Sequence, residues 1–350
     1  MKSSNMHQVT MKIRLKDIAE QAGVSVNTVS RALKNKPDIG VKTRQRIQKM
    51  ANELGYTPNA IARSLVLQRS NMIGLAVSEI DNPVRSHLIE LLRRNLKKYG
   101  LKLLVTGLDS QEATGQELNE LFEHGVDGII FGSVSGKLEA TPMWRNLEKL
   151  IKRGFPVAGF GNFNTDKIDH VQLDYKKHAE ELTNTLIKRG FKRIAFWDIE
   201  LVQDENNRQS GYLSAMRQAG LSPEVRQCET AGTEGGRLSI KKYLDTAPVL
   251  PEVIIGRNDQ LAIGIMSGLH QAGFNIPGDI AVAGFDNIEL CDFLIPSLTS
   301  VGVDANNLAD NLAEIIKARL NDKSRPVIHR TLPCSLVERE STIIKKAARS

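Results

Sequence analysis

Two nearly identical hexapeptides constrain this chain more than anything else in it. Val157-Ala158-Gly159-Phe160-Gly161-Asn162 and Val282-Ala283-Gly284-Phe285-Asp286-Asn287 each close a run of apolar strands alternating with amphipathic helices. Before the first copy, the pattern predicts strands at 72–77, 101–106, 126–132 and 156–160, separated by helices at 84–99, 111–124 and 143–153. Before the second, it predicts strands at 193–197, 226–229, 253–256 and 280–285, separated by helices at 208–219, 235–245 and 259–272. Strands that alternate with helices imply a parallel sheet covered on both faces. The repeat therefore predicts two similar α/β lobes. A strand at 298–303, a helix at 306–320 and a last strand near 327–336 follow.

The first seventy residues have a different texture. Leu15, Ile18, Ala19 and Ala22 recur at spacings of three and four, which is one face of a helix. Gly23 breaks that helix and can take the left-handed conformation of a tight turn. Ser25 stands where a hydroxyl caps the next helix, expected over 26–33. That helix turns Val29, Ala32 and Leu33 inward and leaves Val26, Asn27, Ser30 and Arg31 outside. A third helix, over 41–54, offers Ile47, Met50, Ala51 and Leu54 to a core, and Gly55 ends it. The arrangement is a helix-turn-helix head. Its outward side chains suit base edges: the Asn27 amide matches adenine, the Arg31 fork guanine, and Val26 a thymine methyl.

Charge supports the same partner. Residues 1–70 hold 13 Lys and Arg against 4 Asp and Glu, a net +9, while the remainder is −2, so the whole excess of +7 sits in the first fifth of the chain. A positive field that localised is the footprint of a polyanion. At 41% hydrophobic and 25% charged the chain is an ordinary globular protein. It contains no apolar run of bilayer length and no signal peptide, which predicts a cytoplasmic protein with no membrane partner. Cys228, Cys291 and Cys334 are odd in number and far apart, and the 7 His are scattered. Buried thiols are expected, not a disulfide framework or a metal site. No P-loop is present and no GxGxxG follows a strand. Gly132-Ser133-Val134-Ser135-Gly136 has the outline of a nucleophile elbow with Val in the nucleophile's place. Neither an enzyme nor a cofactor is expected, and the basic head argues against a solute-binding transport protein.

Four blocks carry a resemblance: DIAEQAGVSVNTVSR from Asp17 to Arg31, GYTPNAIARSL from Gly55 to Leu65, NDQLAIG from Asn258 to Gly264, and IPGDIAVAGFD from Ile276 to Asp286. From Ile13 to about Ile343 the chain resembles the lactose-repressor/galactose-repressor family of bacterial transcription regulators. The resemblance implies a helix-turn-helix DNA-binding domain at 12–57 and a hinge helix with linker at 58–70. It implies two Rossmann-like lobes of periplasmic-binding-protein type, joined by three crossings. Lobe 1 would comprise 71–161 with 291–322, and lobe 2 162–290 with 323–343. It also implies that Val26, Asn27 and Arg31 read bases and that Leu65 wedges into the minor groove at the operator centre. The expected DNA-facing set is Ser25, Val26, Asn27, Thr28, Ser30, Arg31, Thr43, Tyr56, Asn59, Ala62 and Leu65. A hinge helix that short is marginal alone in water. Two positions depart from the family: Arg14, where a capping Thr or Ser is usual, and Gly40, where Ser is frequent.

Ligands of such sheets bind beyond the carboxyl ends of the strands. Ser78, Arg85, Asn162, Phe163, Trp197, Arg208, Asn258, Asp259 and Asp286 are the expected effector-binding residues. The resemblance assigns effector contact to Ser78, Arg208, Asn258 and Asp286, and an Arg with Asp and Asn suits sugar hydroxyls. Trp197 is either a stacking face or lobe core. Arg85 stands where the family often has an aromatic. Turned into the cleft it favours a carboxylate or phosphate; turned outward it meets solvent or a partner subunit. The expectation is a sequence-specific regulator, a repressor of a carbohydrate operon that leaves palindromic operator DNA when a sugar or sugar derivative binds. A corepressor-type effector and an activator role stay open. Half-site geometry implies a homodimer, and the short stretch after the last strand leaves no room for a tetramer-forming heptad tail.

Overall fold

The computed structural model describes residues 13–56, 69–108, 115–199, 207–246 and 249–343. It divides into two units, Met1–Ser70 and Asn71–Ser350. In the first, α1 (Leu15–Ala22), α2 (Val26–Leu33) and α3 (Val41–Glu53) enclose a small core in which Ile18, Val29, Ala32 and Ile47 are fully buried. Gly23 takes φ 65° and ψ 33°, and the Val24 N–H returns to the Ala19 carbonyl at 3.1 Å. Ser25 caps α2 by accepting from the Thr28 N–H at 3.1 Å. From α3, Arg46 donates to the Ala22 carbonyl at 2.8 Å and Gln48 to the Ala32 carbonyl at 3.2 Å, which satisfies carbonyls at the ends of α1 and α2. Arg14 makes no side-chain capping bond; its own N–H donates to the Asp17 carboxylate at 2.7 Å.

The second unit contains two six-stranded sheets. Lobe 1 runs β1 (Met72–Val77), α4 (Pro83–Lys98), β2 (Lys102–Gly107), α5 (Gln116–Glu123), β3 (Gly128–Lys137), α6 (Trp144–Lys152), β4 (Val157–Asn164) and β5 (Asp169–Leu173). After α7 (Tyr175–Lys188), lobe 2 repeats that order. Its elements are β6 (Ile194–Asp198), α8 (Arg208–Gln218), β7 (Glu224–Gln227), α9 (Gly232–Thr246), β8 (Val253–Gly256), α10 (Asp259–Gln271), β9 (Ala281–Phe285) and β10 (Thr299–Val303). Then come α11 (Ala305–Asn321), β11 (His329–Leu332) and β12 (Cys334–Val337). The sheets read β11-β5-β4-β3-β1-β2 and β12-β10-β9-β8-β6-β7. Their pairings are parallel except that of β10 with β12.

Strand pairing corrects the expected lobe boundaries. The repeated hexapeptide does not close a lobe; one more strand follows it in each. β5 pairs with β4, and β10 pairs with β9. Residues 169–173 therefore belong to the first sheet and 299–303 to the second, each opposite to the expectation. The crossings fall at Asp174, Asp304 and Pro333. Asp174 and Asp304 cap the helices that follow, accepting from the Lys177 N–H and from the Asn306 and Asn307 N–H groups. α7 then packs on α8 in lobe 2, and α11 packs on α4 in lobe 1. The expected single last strand is two strands in different sheets, because Pro333 lacks the N–H needed to continue a ladder. Gly132–Gly136 lies inside β3, so the elbow-like motif is not at a strand-to-helix turn.

Candidate functional site

On the head, the outward face of α2 is as the spacing predicts. Val26 is 44% exposed, Ser25, Asn27 and Arg31 are exposed, and Thr28 and Ser30 are half-buried. Thr28 shares a hydrogen bond with the Ser25 hydroxyl at 2.9 Å, which ties both to the cap. The Arg31 Nε donates to Asp38 at 2.6 Å, and that bond holds Asp38 below the usual carboxylate range. Thr43 is half-buried on the first turn of α3. The Tyr56 ring packs against the head core, and burial raises its hydroxyl pKa. Asn59, Ala62 and Leu65 lie outside the described residues.

Between the lobes, the centre is Asp286, just beyond β9. It takes φ 104°, a left-handed region that costs a non-glycine residue about 1–3 kcal/mol. A short relay holds the turn. The Asn287 N–H donates to the Ser300 hydroxyl at 3.0 Å, and that hydroxyl donates to Asp259 at 2.6 Å. Asp259 also accepts from the Ile288 N–H at 2.9 Å. Gly284 is required beneath it, since a Cβ there would come within 2.3 Å of the Asp259 Oδ1. So held, Asp286 accepts from Arg208 at 2.9 Å. The Arg208 guanidinium lies 3.9 Å from the Tyr175 ring centroid and 5.3 Å from that of Phe285. Burial opposes the charge on Arg208, but Tyr175, Asp286, Asp198 and Cys334 outweigh it and raise the pKa. Burial also pushes the Tyr175 hydroxyl up to about 12.

Lobe 1 reaches the same point. Asn82 caps α4 by accepting from the Val84 N–H at 3.0 Å, and its amide donates across the cleft to Asp286 at 3.4 Å. Glu79 faces Arg257 across the lobes at 4.0 Å, and Arg257 lies 3.5 Å from Asp198. Ser78 is buried at the end of β1, and Asn258 caps α10 by accepting from the Leu261 N–H at 3.0 Å, which engages only its carbonyl oxygen. Arg85 lies with its guanidinium carbon 5.8 Å from the Phe160 ring centroid.

Three expected contacts take other roles. Trp197 is 1% exposed and meets Tyr243 edge-on at 5.3 Å in the outer core of lobe 2. Phe163 is 1% exposed and stacks between Phe131 and His170 in lobe 1. Asp259 is fully buried and braces the Asp286 turn instead of facing the cleft. Only Asp259 lies beyond its strand; Trp197 lies within β6, in the lobe core that was its second reading, and Phe163 lies within β4. Asn162 is placed only by its backbone, opposite Ser135; its side chain lies outside the described atoms. Asn82, Tyr175 and Arg257 also reach the cleft, outside the residues expected from the sequence. An Asn before Pro83 is a recognisable cap signal, whereas Tyr175 follows a strand that the hydropathy pattern did not reveal.

A three-helix head and a two-lobed, cleft-bearing unit define a ligand-responsive DNA-binding regulator. Residues 14–59 match the family of bacterial regulatory proteins, lacI family, and residues 183–342 match a periplasmic binding protein-like domain. The NTD biosynthesis operon regulator of Bacillus subtilis is 31% identical over 334 residues, covering 93% of this chain and 98% of that protein. The ribose operon repressor of Escherichia coli K12 is 28% identical over 335 residues, covering 93% and 99%. The lac repressor dimer bound to operator and an anti-inducer superposes with a TM-score of 0.82 over 95% of this chain and all of that one, at 23% identity. This chain belongs to the lacI family of bacterial transcriptional regulators. Among the described residues, no helix is long and apolar enough to cross a membrane.

Proposed function

We propose that this protein represses genes of carbohydrate use by binding palindromic operator DNA as a cytoplasmic homodimer, and that a sugar derivative held between the lobes releases it. The observation that carries the reading is the Arg208–Asp286 pair stacked on Tyr175, with Asn82 of the other lobe bound to the same carboxylate. A ligand whose hydroxyls bind Arg208, Asp286 and Asn258 changes how the lobes meet. Residues 58–70 pass that change to the head. The sugar class is supported by the kinship with a repressor named for the ribose operon. No catalytic step is involved.

The test is fluorescence anisotropy on a palindrome selected from random DNA, with salt and sugars varied. Specific binding that falls steeply with salt and weakens as a sugar derivative is added is the expected outcome. Arg31→Ala should lower discrimination at one base pair by about 1–3 kcal/mol. Absence of any selected sequence would end the reading, and tighter binding on adding the ligand would convert it to corepression.

A further inference from the structure

The lobes are topological copies, so their cleft-facing residues can be matched. Arg85 lies on the first turn of α4, the helix after β1, and Arg208 on the first turn of α8, the helix after β6. Each guanidinium lies near the phenylalanine of its own hexapeptide, Phe160 or Phe285. The next residue of the hexapeptide completes the match. It is Gly161 at φ 129° in lobe 1 and Asp286 at φ 104° in lobe 2. Lobe 2 thus supplies a carboxylate to its arginine. Lobe 1 also has a positive φ at the matched position, but on a glycine inside β4 and with no side chain there.

Among the described residues, Arg85 is left without a counterion. It makes no ion pair among them, and its Nε is buried with no hydrogen-bond partner. It nevertheless sits in the cleft. Asn82, one turn earlier, reaches Asp286, and Arg85 and Arg208 both act electrostatically on the Tyr175 hydroxyl. A partly desolvated guanidinium with unused donors in a fork geometry binds a carboxylate or phosphate in preference to a neutral hydroxyl.

We infer that the effector is anionic, a sugar acid or sugar phosphate whose charged group takes the place at Arg85 that Asp286 takes at Arg208. This rests on the proposed effector site between the lobes. The negative group lies on the lobe 1 side, and the hydroxyls lie toward Arg208 and Asp286.

The test uses the full chain and five probes: D-gluconate, D-glucuronate and D-glucose 6-phosphate against D-glucose and D-ribose. Calorimetric titration should show at least one anionic probe bound about tenfold or more tightly than the neutral sugars, with an affinity that declines as salt rises. Arg85→Gln should erase that gap and Arg85→Lys should retain part of it, with circular dichroism confirming that both fold. A preference for the carboxylates or for the phosphate tells the two sources apart. Equal or better binding of neutral sugars, a gap that survives Arg85→Gln, or binding of none of the five overturns the inference. Operator release is measured separately. An anionic probe that binds without altering operator affinity leaves this inference standing and removes the proposed function, whereas release by a neutral sugar alone does the reverse.

Discussion

Arg85 and Arg208 hold the same place in two copies of one topology, yet among the described residues only Arg208 has an acid beside it. Lobe 2 tolerates a strained aspartate at φ 104° and braces it with Ser300, Asp259 and the Ile288 N–H. Lobe 1 has glycine at the matched position, inside β4 and at φ 129°. The matching helices differ in kind as well: α10 begins with the buried Asp259, and α6 begins with Trp144. The comparison teaches that a positive φ recurs at the matched position, and that the carboxylate on it in lobe 2 is an addition that needs its own support.

The severest break of that comparison is Asp286→Ala. It leaves Arg208 buried without its partner and should lower stability by about 3–5 kcal/mol in urea denaturation. A loss below about 1 kcal/mol would mean that the pair is effectively solvated. Asp259→Asn tests the bracing. Burial, with the neighbouring Asp286 charge, raises the Asp259 carboxyl from 3.8 to about 7 in the folded protein. The unfolded chain gives up that proton first as pH rises. The group's contribution to stability is therefore whole below 3.8 and is lost on the way to about 7, at about 1.4 kcal/mol per pH unit. Urea midpoints across that range should slope downward in the wild type and flatten in Asp259→Asn; equal slopes would refute the assignment.

Gly161→Asp sharpens the comparison by copying the acid into lobe 1. A cost of about 1–3 kcal/mol is expected from the positive φ without the bracing, together with loss of any preference for anionic probes. Persistence of that preference would show that the two matched positions are not equivalent toward their arginines. The smallest effect belongs to the head. Arg31–Asp38 is a shorter pair than Arg208–Asp286 but half exposed, 45% and 47%. Asp38→Asn should leave stability nearly unchanged, as solvent screens an exposed pair, while tightening operator binding, since Arg31 no longer has to leave an acid to reach a base. Weaker operator binding would show that Asp38 positions Arg31 rather than competing for it.

Much of this architecture was legible because its signals are local. Gly23 and Ser25 mark their turn and cap by chemistry alone, and the alternation of strands and helices needs no knowledge of partners. The positions of the crossings were not legible. β5, with the sequence Asp-His-Val-Gln-Leu, looks too polar for a buried strand until its pairing with β4 is known. Asp169 in it is fully buried because Arg319 and Arg325, far along the chain, donate to its carboxylate at 2.9 and 2.7 Å. The cleft was half legible for a related reason. Position after a strand located Arg208 and Asp286, but it could not say that Trp197, Phe163 and Asp259 turn into packing.

The order in which this chain leaves the ribosome follows from where it crosses between lobes. Lobe 1 begins at β1 but is finished by α11 and β11, the latter pairing with β5. Leu308, Leu312, Ile315 and Ile316 of α11 are buried in its core. Until those residues are synthesised, the nascent first sheet must persist with a bare edge and an uncovered apolar face, while all of lobe 2 up to β10 is made. A fragment ending before residue 332 lacks the end of β11 and all of β12, so a late frameshift takes edge-strand residues from both sheets at once.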